Sequence, residues 1–375
     1  MTRAGSTHAQ RKAFRLALAE SLRAGYEVLK AGGEAMDAAV AAVSVMEDNP
    51  LFNAGKGAVF NTAGKNELEA SIMLSKSPAT HPEIPTSRRG LGLTLLTRAR
   101  NPSKHARALY LRPDLVEHTF ISGETAQNIG SSLGEELVDP AYFFTEHRWK
   151  EHRRGLGLPE EPLPDSNLID LDDRDHTDSG STEGPYPLDM MPKGTVGAVA
   201  LDVRECIAAV TSTGGRTNKL PGRIGDTPLM GAGFWAEEWD NEGESILPAW
   251  LRGVWNLFRP QSNATGKVAV GVSGTGDGDY FIRQATASTI ARRMQLGGES
   301  VSDASEKVIQ DLLQDGGIGG AIALDSQGNV ALPLNSPGMY RGVIRGDGIP
   351  KVAIFKEDEL EEVKRETKGT RSKEM

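Results

Sequence analysis

The sequence predicts an α+β fold in which antiparallel sheet packs against helices. The first half of the chain carries helical apolar patterns, whereas the second half carries short apolar runs separated by turn residues, which is typical of hairpins. The 375 residues are 38% apolar and 25% charged, which is enough for a real core and excludes a disordered or fibrous protein. Hairpins beside helices favour a layered arrangement.

Helical segments are predicted along most of the chain. The first stops at the glycine pair Gly32-Gly33, and its apolar residues recur every three or four positions. These residues are Phe14, Leu18, Leu22, Tyr26 and Leu29. The next segment, 36–46, is rich in Ala and Val on nearly all sides, so we expect it to lie buried between layers. Composition indicates further helices over 98–111, 124–137 and 280–294.

Strands are predicted mainly in the second half. Segments 195–201 and 206–212 form a hairpin with a turn between them, and a third strand covers 268–273. Two more strands, 321–324 and 330–334, are joined by a turn. In the first half, the turn-rich loop 49–60 is predicted to lead into a short strand.

Three polar segments complete the organisation. Residues 159–193 are acidic and rich in Asp, Ser, Gly and Pro, which predicts a linker. The charge-dense tail, 357–375, is predicted to be frayed. Residues 147–154 are interpreted as a solvated helical face.

Charge and cysteine content narrow the function classes. With 42 basic and 51 acidic residues the net charge is −9, which disfavours nucleic acid and anionic membranes as partners. Cys206 is the single cysteine, so the chain has no internal disulfide and no multi-cysteine metal site. The sequence has no run of 18 apolar residues and no signal-like start, so we expect a cytoplasmic protein.

An ordered set of glycine- and threonine-rich segments carries the functional signal. Directly after the linker comes Gly194-Thr195-Val196-Gly197-Ala198, and the second strand of the hairpin ends in Thr211-Ser212-Thr213-Gly214-Gly215. The segments 222–228, 231–233 and 273–279 follow. Asn53-Ala54-Gly55 precedes them, and 333–342, with the sequence PLNSPGMYRG, comes after.

Together, and in this order, these segments resemble the plant-type asparaginase and isoaspartyl peptidase family of N-terminal-nucleophile hydrolases. The resemblance implies one structural domain with a four-layer αββα sandwich. It also implies a precursor that cuts itself between Gly194 and Thr195, giving an α subunit of residues 1–194 and a β subunit of residues 195–375. The apolar strand and His-Gly-Gly-Ala-Gly-like turn that open the family have no counterpart here, so we expect the sheet to lack that first strand.

Threonine chemistry fits such a cut. A hydroxyl is a poor nucleophile without an adjacent base, and in the uncut chain the Thr195 nitrogen is an amide. Cleavage would convert it to an α-amine with a pKa of about 7.7–8.0, which can accept the hydroxyl proton near neutral pH. Gly194 suits the junction because glycine tolerates unusual backbone angles.

The resemblance also assigns the other site residues. Thr213 corresponds to a second threonine that holds the nucleophile or its amine, and Asn53 helps to position the nucleophile. Thr275 and Gly276 correspond to the oxyanion hole. Arg223 corresponds to the clamp on the substrate carboxylate and Asp226 to the partner of its α-ammonium, which suits a zwitterion. Asp279 stands where the family usually has glutamate.

The implied reaction is hydrolysis of L-asparagine or of β-aspartyl (isoaspartyl) dipeptides through an acyl-enzyme. The resemblance implies no organic cofactor, a monovalent cation (Na⁺ or K⁺) held by backbone carbonyls of the loop 46–56, and a dimer of αβ heterodimers. No metal-binding histidine pattern is present among the seven histidines.

Two other functions stay open on the sequence. The first is an uncleaved, inactive pseudoenzyme of the same fold. The second is a nucleotide-binding module, in which Gly274-x-Gly276-x-Gly278 would cradle phosphate; the adjacent Asp277 and Asp279, and the lack of a following lysine, argue against it.

Overall fold

The computed structural model describes residues 8–159, 194–240 and 266–364. Its helices are α1 (His8–Lys30), α2 (Ala35–Glu47), α3 (Pro102–Tyr110), α4 (Gly123–Ser132), α5 (Glu146–Gly155), α6 (Gly278–Gln284), α7 (Thr286–Gly297) and α8 (Val301–Gln314). Its strands are β1 (Leu68–Leu74), β2 (Gly90–Leu96), β3 (Phe120–Ser122), β4 (Val196–Leu201), β5 (Ile207–Thr213), β6 (Phe234–Asp240), β7 (Lys267–Gly276), β8 (Gly319–Asp325), β9 (Val330–Ala331), β10 (Gly338–Val343), β11 (Lys351–Phe355) and β12 (Glu361–Glu362). These elements confirm the predicted α+β class.

The first sheet has the strand order β3-β2-β1-β5-β4 and is antiparallel except where β2 and β3 pair in parallel. Its central strand β1 is buried along its whole length. Because side chains alternate along a strand, Ile72 and Leu74 join the core formed with α1–α4, while Met73 faces the opposite side. Both faces of this sheet are therefore covered by protein.

The second sheet has the strand order β6-β7-β8-β9. Phe234 and Ala236 of β6 pack with Met73 and Ala209 of the first sheet, so the two sheets meet face to face. Val270 and Val272 of β7 pack in another core with the helices α7 and α8. Each sheet thus lies between the other sheet and its own helices.

The helices α1 and α2 pack closely on the first sheet. Ten of the thirteen residues of α2 are buried, as predicted for a helix between layers. Ser21 donates a hydrogen bond to the Ala42 carbonyl across the helix pair, at 2.8 Å. A Cβ at Gly25 would lie 2.9 Å from the Ala38 carbonyl oxygen, so glycine permits this approach.

A small third sheet, β10-β11-β12, contacts α1. Phe14 stacks on Tyr340 with ring centroids 4.1 Å apart, and Arg15 pairs with Asp358 and Glu361. Arg23 donates to the Val363 carbonyl at 2.5 Å. The prediction of a tail frayed from residue 357 is therefore wrong for 357–364, while 365–375 lie outside the described residues, as does the predicted linker beyond residue 159.

Several local predictions need correction. Segment 280–294 is not one helix, because Ala285 adopts a left-handed conformation (φ 48°) that separates α6 from α7. The loop 49–60 leads to an isolated bridge at Asn61, and the next strand begins only at Leu68. The helix α5 is not merely a solvated face, since Arg148 and His152 are buried.

The strands β1, β2, β3, β6, β10, β11 and β12 and the helix α8 were not predicted. The predicted hairpin of 195–201 and 206–212 is confirmed as β4 and β5, with Val196 opposite Ser212. The opening strand expected to be missing would precede His8, outside the described residues. Among the described helices, none combines the length and apolar character that crossing a bilayer requires.

Truncating the centre of the first sheet is expected to destabilise the protein strongly. Ile72 is fully buried, so Ile72→Ala removes contacts and leaves a cavity, which typically costs about 2–5 kcal/mol in the free energy of unfolding. Ile349→Ala, at a residue with 39% exposure, is the matched control and should cost less than about 0.5 kcal/mol. Urea unfolding of both variants checks this; equal losses would contradict the assigned core.

Candidate active site

The β4–β5 hairpin brings two predicted site threonines to the same end of the first sheet. Thr195 immediately precedes β4, and Thr213 is the last residue of β5. Val196 lies opposite Ser212 in an antiparallel pair, so Thr195 and Thr213 are the next opposed positions in this register. The register therefore places their side chains on one face of the sheet.

The second sheet contributes Thr275 and Gly276 at the end of β7. The backbone N–H of Thr195 donates to Thr275 Oγ1 at 2.9 Å, which joins the ends of the two sheets. A side chain on Gly194 would collide with the Thr275 hydroxyl, so only glycine fits before Thr195. Gly276 has φ 146°, and a Cβ there would lie 2.5 Å from the Cα of Gly319.

Asn53 fixes the loop that follows Thr213. Its side-chain amide donates to the Gly215 carbonyl at 2.7 Å, while its side-chain oxygen accepts from the Val59 N–H at 3.0 Å. The Thr213 hydroxyl accepts from the Gly215 N–H at 2.9 Å. Asn53 and Thr275 also line a cavity of about 300 Å³ that reaches Thr195 from one side.

Arg223 and Asp226 lie on the loop between β5 and β6. Arg223 is 21% exposed and donates from Nη2 to Asp279 Oδ1 at 3.0 Å. Asp226 is buried, and its Oδ2 has no hydrogen-bond partner within the described ranges. Burial raises the pKa of the Asp226 carboxyl to about 7, and the negative charge of Glu69 adds to this effect.

Several of the predicted site residues line a second cavity of about 590 Å³, whereas Asn53 and Thr275 line only the first. The lining of the second cavity includes Thr195, Thr213, Arg223, Asp226 and Gly276. A threonine, a guanidinium and a buried carboxyl group therefore line one space that is large enough for a small zwitterion. Such a set can bind a zwitterion at one end and present its other end to Thr195.

The structure also brings in a residue that the sequence analysis missed. Glu69 of β1 lies directly opposite Thr213 in the β1–β5 register and lines the same cavity. The signal was a charged residue in the otherwise apolar stretch Leu-Glu-Ala-Ser-Ile-Met-Leu of residues 68–74. Strands buried on both faces rarely carry glutamate without a partner or a function.

The glycine segment 274–278 does not form a phosphate loop. Gly274 and Gly276 belong to β7 and pair with β8, and the seven-residue α6 follows. The Asp277 carboxylate accepts from the Ile318 N–H at 3.2 Å, which places a negative charge where a phosphate would have to bind. The geometry does not favour the nucleotide-binding alternative.

The loop 46–56 offers backbone oxygens of the kind that a monovalent cation prefers. The carbonyls of Glu47, Pro50 and Phe52 crowd Gly55 and Gly57, where a Cβ would strike them. Within the described chain, none of these three carbonyls accepts a backbone hydrogen bond. The buried Arg148 donates to the Gly57 carbonyl at 2.8 Å, so a fixed positive charge lies beside the loop. The described residues contain no cluster of three His, Cys, Asp or Glu side chains suited to a metal ion.

Comparison with known proteins identifies the family. The family model described as Asparaginase matches residues 1–241 and 263–354. The chain belongs to the asparaginase family. It is 37% identical to an isoaspartyl peptidase of Salmonella typhimurium, over 95% of this chain and 96% of that protein.

Further members of the asparaginase family agree with this assignment. The chain is 37% identical to an isoaspartyl peptidase of Escherichia coli, over 91% of this chain and 88% of the relative. It is 31% identical to the probable isoaspartyl peptidase/L-asparaginase 2 of Arabidopsis thaliana, over 90% and 91% respectively. The family recognised from the ordered motifs is therefore confirmed.

Replacing Asp226 with asparagine is expected to stabilise the unliganded protein, increasingly so at higher pH. The pKa of this carboxyl rises from 3.8 to about 7 on folding, so its contribution to stability falls as the pH rises from about 4 to about 7. Since one pKa unit corresponds to about 1.4 kcal/mol, we expect Asp226→Asn to raise the free energy of unfolding by several kcal/mol at pH 8 and by almost nothing near pH 4.

Urea unfolding across this pH range measures the effect. Asp311→Asn is the control, because Asp311 is 39% exposed and pairs with Lys307 on a helix surface. The prediction is contradicted if the difference in free energy of unfolding between Asp226→Asn and the unaltered protein becomes smaller as the pH rises. It is also contradicted if Asp311→Asn shows the same change. Burial would then not set the pKa of Asp226.

Proposed function

We propose that this asparaginase-family chain is a hydrolase that cleaves the side-chain amide of L-asparagine and of β-aspartyl (isoaspartyl) dipeptides. The observation that carries the proposal is that Thr195 shares one cavity with Arg223 and Asp226, while its backbone nitrogen donates to Thr275. The names of the relatives, isoaspartyl peptidase and L-asparaginase, support the same activity. An inactive pseudoenzyme is not favoured, because the relatives bear the names of enzymes, isoaspartyl peptidase and L-asparaginase.

The active form arises by self-cleavage at the junction before β4. The Thr195 hydroxyl attacks the Gly194 carbonyl carbon, the C–N bond breaks, and an ester to the threonine oxygen replaces the amide. Water then hydrolyses the ester, which leaves a carboxylate on Gly194 and a free α-amine on Thr195. The hydrogen bond from the Thr195 N–H to the Thr275 hydroxyl supports this step, because it places that hydroxyl beside the bond that breaks.

Turnover repeats the same chemistry on the substrate. The Thr195 amine accepts the hydroxyl proton, and the oxygen attacks the side-chain carbonyl carbon. The Thr275 hydroxyl and the Gly276 N–H stabilise the negative oxygen that develops. The amine then donates the proton to the departing nitrogen, so ammonia or an amino acid leaves and a threonyl ester remains. Water cleaves this ester, releasing L-aspartate and the free hydroxyl.

The substrate is held at its aspartyl end. Arg223 pairs with the α-carboxylate through its planar guanidinium, and Asp226 accepts from the α-ammonium. The leaving group makes no contact with either residue, so one pocket can serve both asparagine and isoaspartyl peptides. The cavity of about 590 Å³ supports this, since it exceeds what asparagine alone requires.

The same proposal covers the wider architecture. The packing of the two sheets on each other, and of helices on each sheet, supports a four-layer αββα sandwich. The mature enzyme is a dimer of αβ heterodimers in the cytoplasm. A Na⁺ or K⁺ ion bound by the carbonyls of Glu47, Pro50 and Phe52 would stiffen the loop that carries Asn53. No step of the reaction passes through this ion.

Removing the nucleophile is expected to stop both reactions. Thr195→Ala lacks the hydroxyl that opens the junction, so the chain should stay whole and hydrolysis of L-asparagine should fall by at least about a thousandfold. Thr195→Ser keeps a hydroxyl and should retain part of both activities. Denaturing gels and ammonia release measure the two outcomes; a Thr195→Ala protein that still divides after Gly194 would refute the assignment.

Removing the carboxylate clamp is expected to weaken substrate binding. Arg223→Ala loses a charge-assisted bidentate contact, so KM for L-asparagine should rise about ten- to hundredfold while self-cleavage proceeds. Arg345→Ala, at an exposed arginine bonded to the Gly328 carbonyl, is the control and should leave KM unchanged. Steady-state kinetics decide; an unaltered KM for Arg223→Ala would remove this residue from the pocket.

A further inference from the structure

A row of polar residues crosses the first sheet at the nucleophile's end. Thr195 and Thr213 continue the β4–β5 register, and Glu69 lies directly opposite Thr213 on β1. Residues opposite each other in an antiparallel pair project from the same face. Glu69 therefore lies on the same face as the nucleophile, two strands away, and lines the substrate cavity.

Only one oxygen of the Glu69 carboxylate is bonded by protein. Oε1 accepts from the Gly225 N–H at 2.8 Å and from the Thr94 hydroxyl at 3.2 Å. Oε2 is buried and has no hydrogen-bond partner in the described part of the chain. A buried carboxylate oxygen without a donor is costly, which indicates that a ligand supplies the donor.

The carboxylate of Asp226 resembles that of Glu69 in lacking a donor for one oxygen. Asp226 Oδ2 is also buried without a partner in the described chain, and both side chains line the cavity that contains Thr195. Burial raises the pKa of each carboxyl. The negative charge of Glu69 adds to the rise at Asp226, while the charges of Lys219 and Arg223 partly oppose the rise at Glu69. A positively charged hydrogen-bond donor between the two carboxylates would reduce their repulsion and supply the missing hydrogen bonds.

The two cationic side chains near these carboxylates donate hydrogen bonds to other groups. Arg223 donates to Asp279, and Lys219 donates from Nζ to the Glu67 carbonyl at 2.6 Å. A Cβ at Gly225 would lie 2.8 Å from both Arg223 Nη1 and Glu69 Oε2. A side chain at residue 225 would therefore collide with both groups, so glycine lets the guanidinium and this carboxylate oxygen approach the same part of the backbone.

We propose that Glu69 is a specificity-determining residue that binds the substrate's α-ammonium through Oε2, together with Asp226. This inference rests on the proposed function and extends it to a substrate class. Two carboxylates for one ammonium select aspartyl groups with a free α-amine, which L-asparagine and N-terminal isoaspartyl residues possess. Analogues with an acylated or missing α-amine leave two buried oxygens unpaired and are rejected.

The variant Glu69→Gln tests the proposal with little change of shape. Its side-chain oxygen can still accept from Gly225 and Thr94, while the charge is lost. Calorimetric titration with L-aspartate and with succinate, which lacks the α-amine, isolates the effect. We expect Glu69→Gln to weaken L-aspartate binding about ten- to hundredfold and to leave succinate binding within about twofold of the unaltered protein.

Kinetics give a second readout. For L-asparagine, KM should rise by a similar factor while kcat changes by less than about threefold, since Glu69 does not touch the reacting atoms. Glu67→Gln is the matched control, because Glu67 lies two residues away, accepts from the Gly222 N–H and does not line the cavity. Thermal unfolding of both variants shows whether they are folded.

The outcomes separate this inference from the proposed function. Unchanged L-aspartate binding by folded Glu69→Gln, or an equal loss for L-aspartate and succinate, overturns the inference. If the unaltered protein hydrolyses neither L-asparagine nor isoaspartyl dipeptides, the proposed function fails. The loss of L-aspartate binding in Glu69→Gln would still support the ammonium site in that case.

Discussion

The hydrogen bond from the Thr195 nitrogen to the Thr275 hydroxyl is the contact on which the account of this molecule depends. It joins the start of β4 in the first sheet to the end of β7 in the second, at 2.9 Å. A buried contact between the hydroxyls of Thr211 on β5 and Ser273 on β7, at 2.8 Å, also joins the two sheets. Because the two sheets are joined there, the residues proposed as the nucleophile and the oxyanion hole, Thr195, Thr275 and Gly276, lie together.

Charge at the site works against the stability of the fold. Glu69 and Asp226 are both buried, and burial raises the pKa of each carboxyl. A core built for stability alone would place apolar side chains there. In the proposed function, a zwitterionic substrate would supply the positive charge that these carboxylates lack, which gives a reason for their burial at the cavity.

The roles assigned to the site residues stay predictions, but the structure brings several of these residues together. Thr195, Thr213, Arg223 and Asp226 were identified because short motifs in a fixed order specify them, and the structure brings them to one cavity. The α+β class and the β4–β5 hairpin followed from apolar patterns and turns.

Features decided by tertiary contacts were missed. Glu69 sits in an apolar strand, and only the strand register reveals its neighbour Thr213. Arg148 looked solvent-exposed within a charged helix, yet it is buried because its guanidinium bonds the Gly57 carbonyl, far away in sequence. The break at Ala285 depends on a left-handed backbone conformation that residue type does not predict for alanine. Such contacts between distant segments have no local signature.

The most direct test follows the mass of the intact protein and its asparagine hydrolysis together during incubation. The account predicts two species, residues 1–194 and 195–375, with hydrolysis rising in proportion to the divided fraction, because only division frees the Thr195 amine. A chain that stays whole while it hydrolyses asparagine at full rate, or one that divides at a different peptide bond, would contradict the central claim.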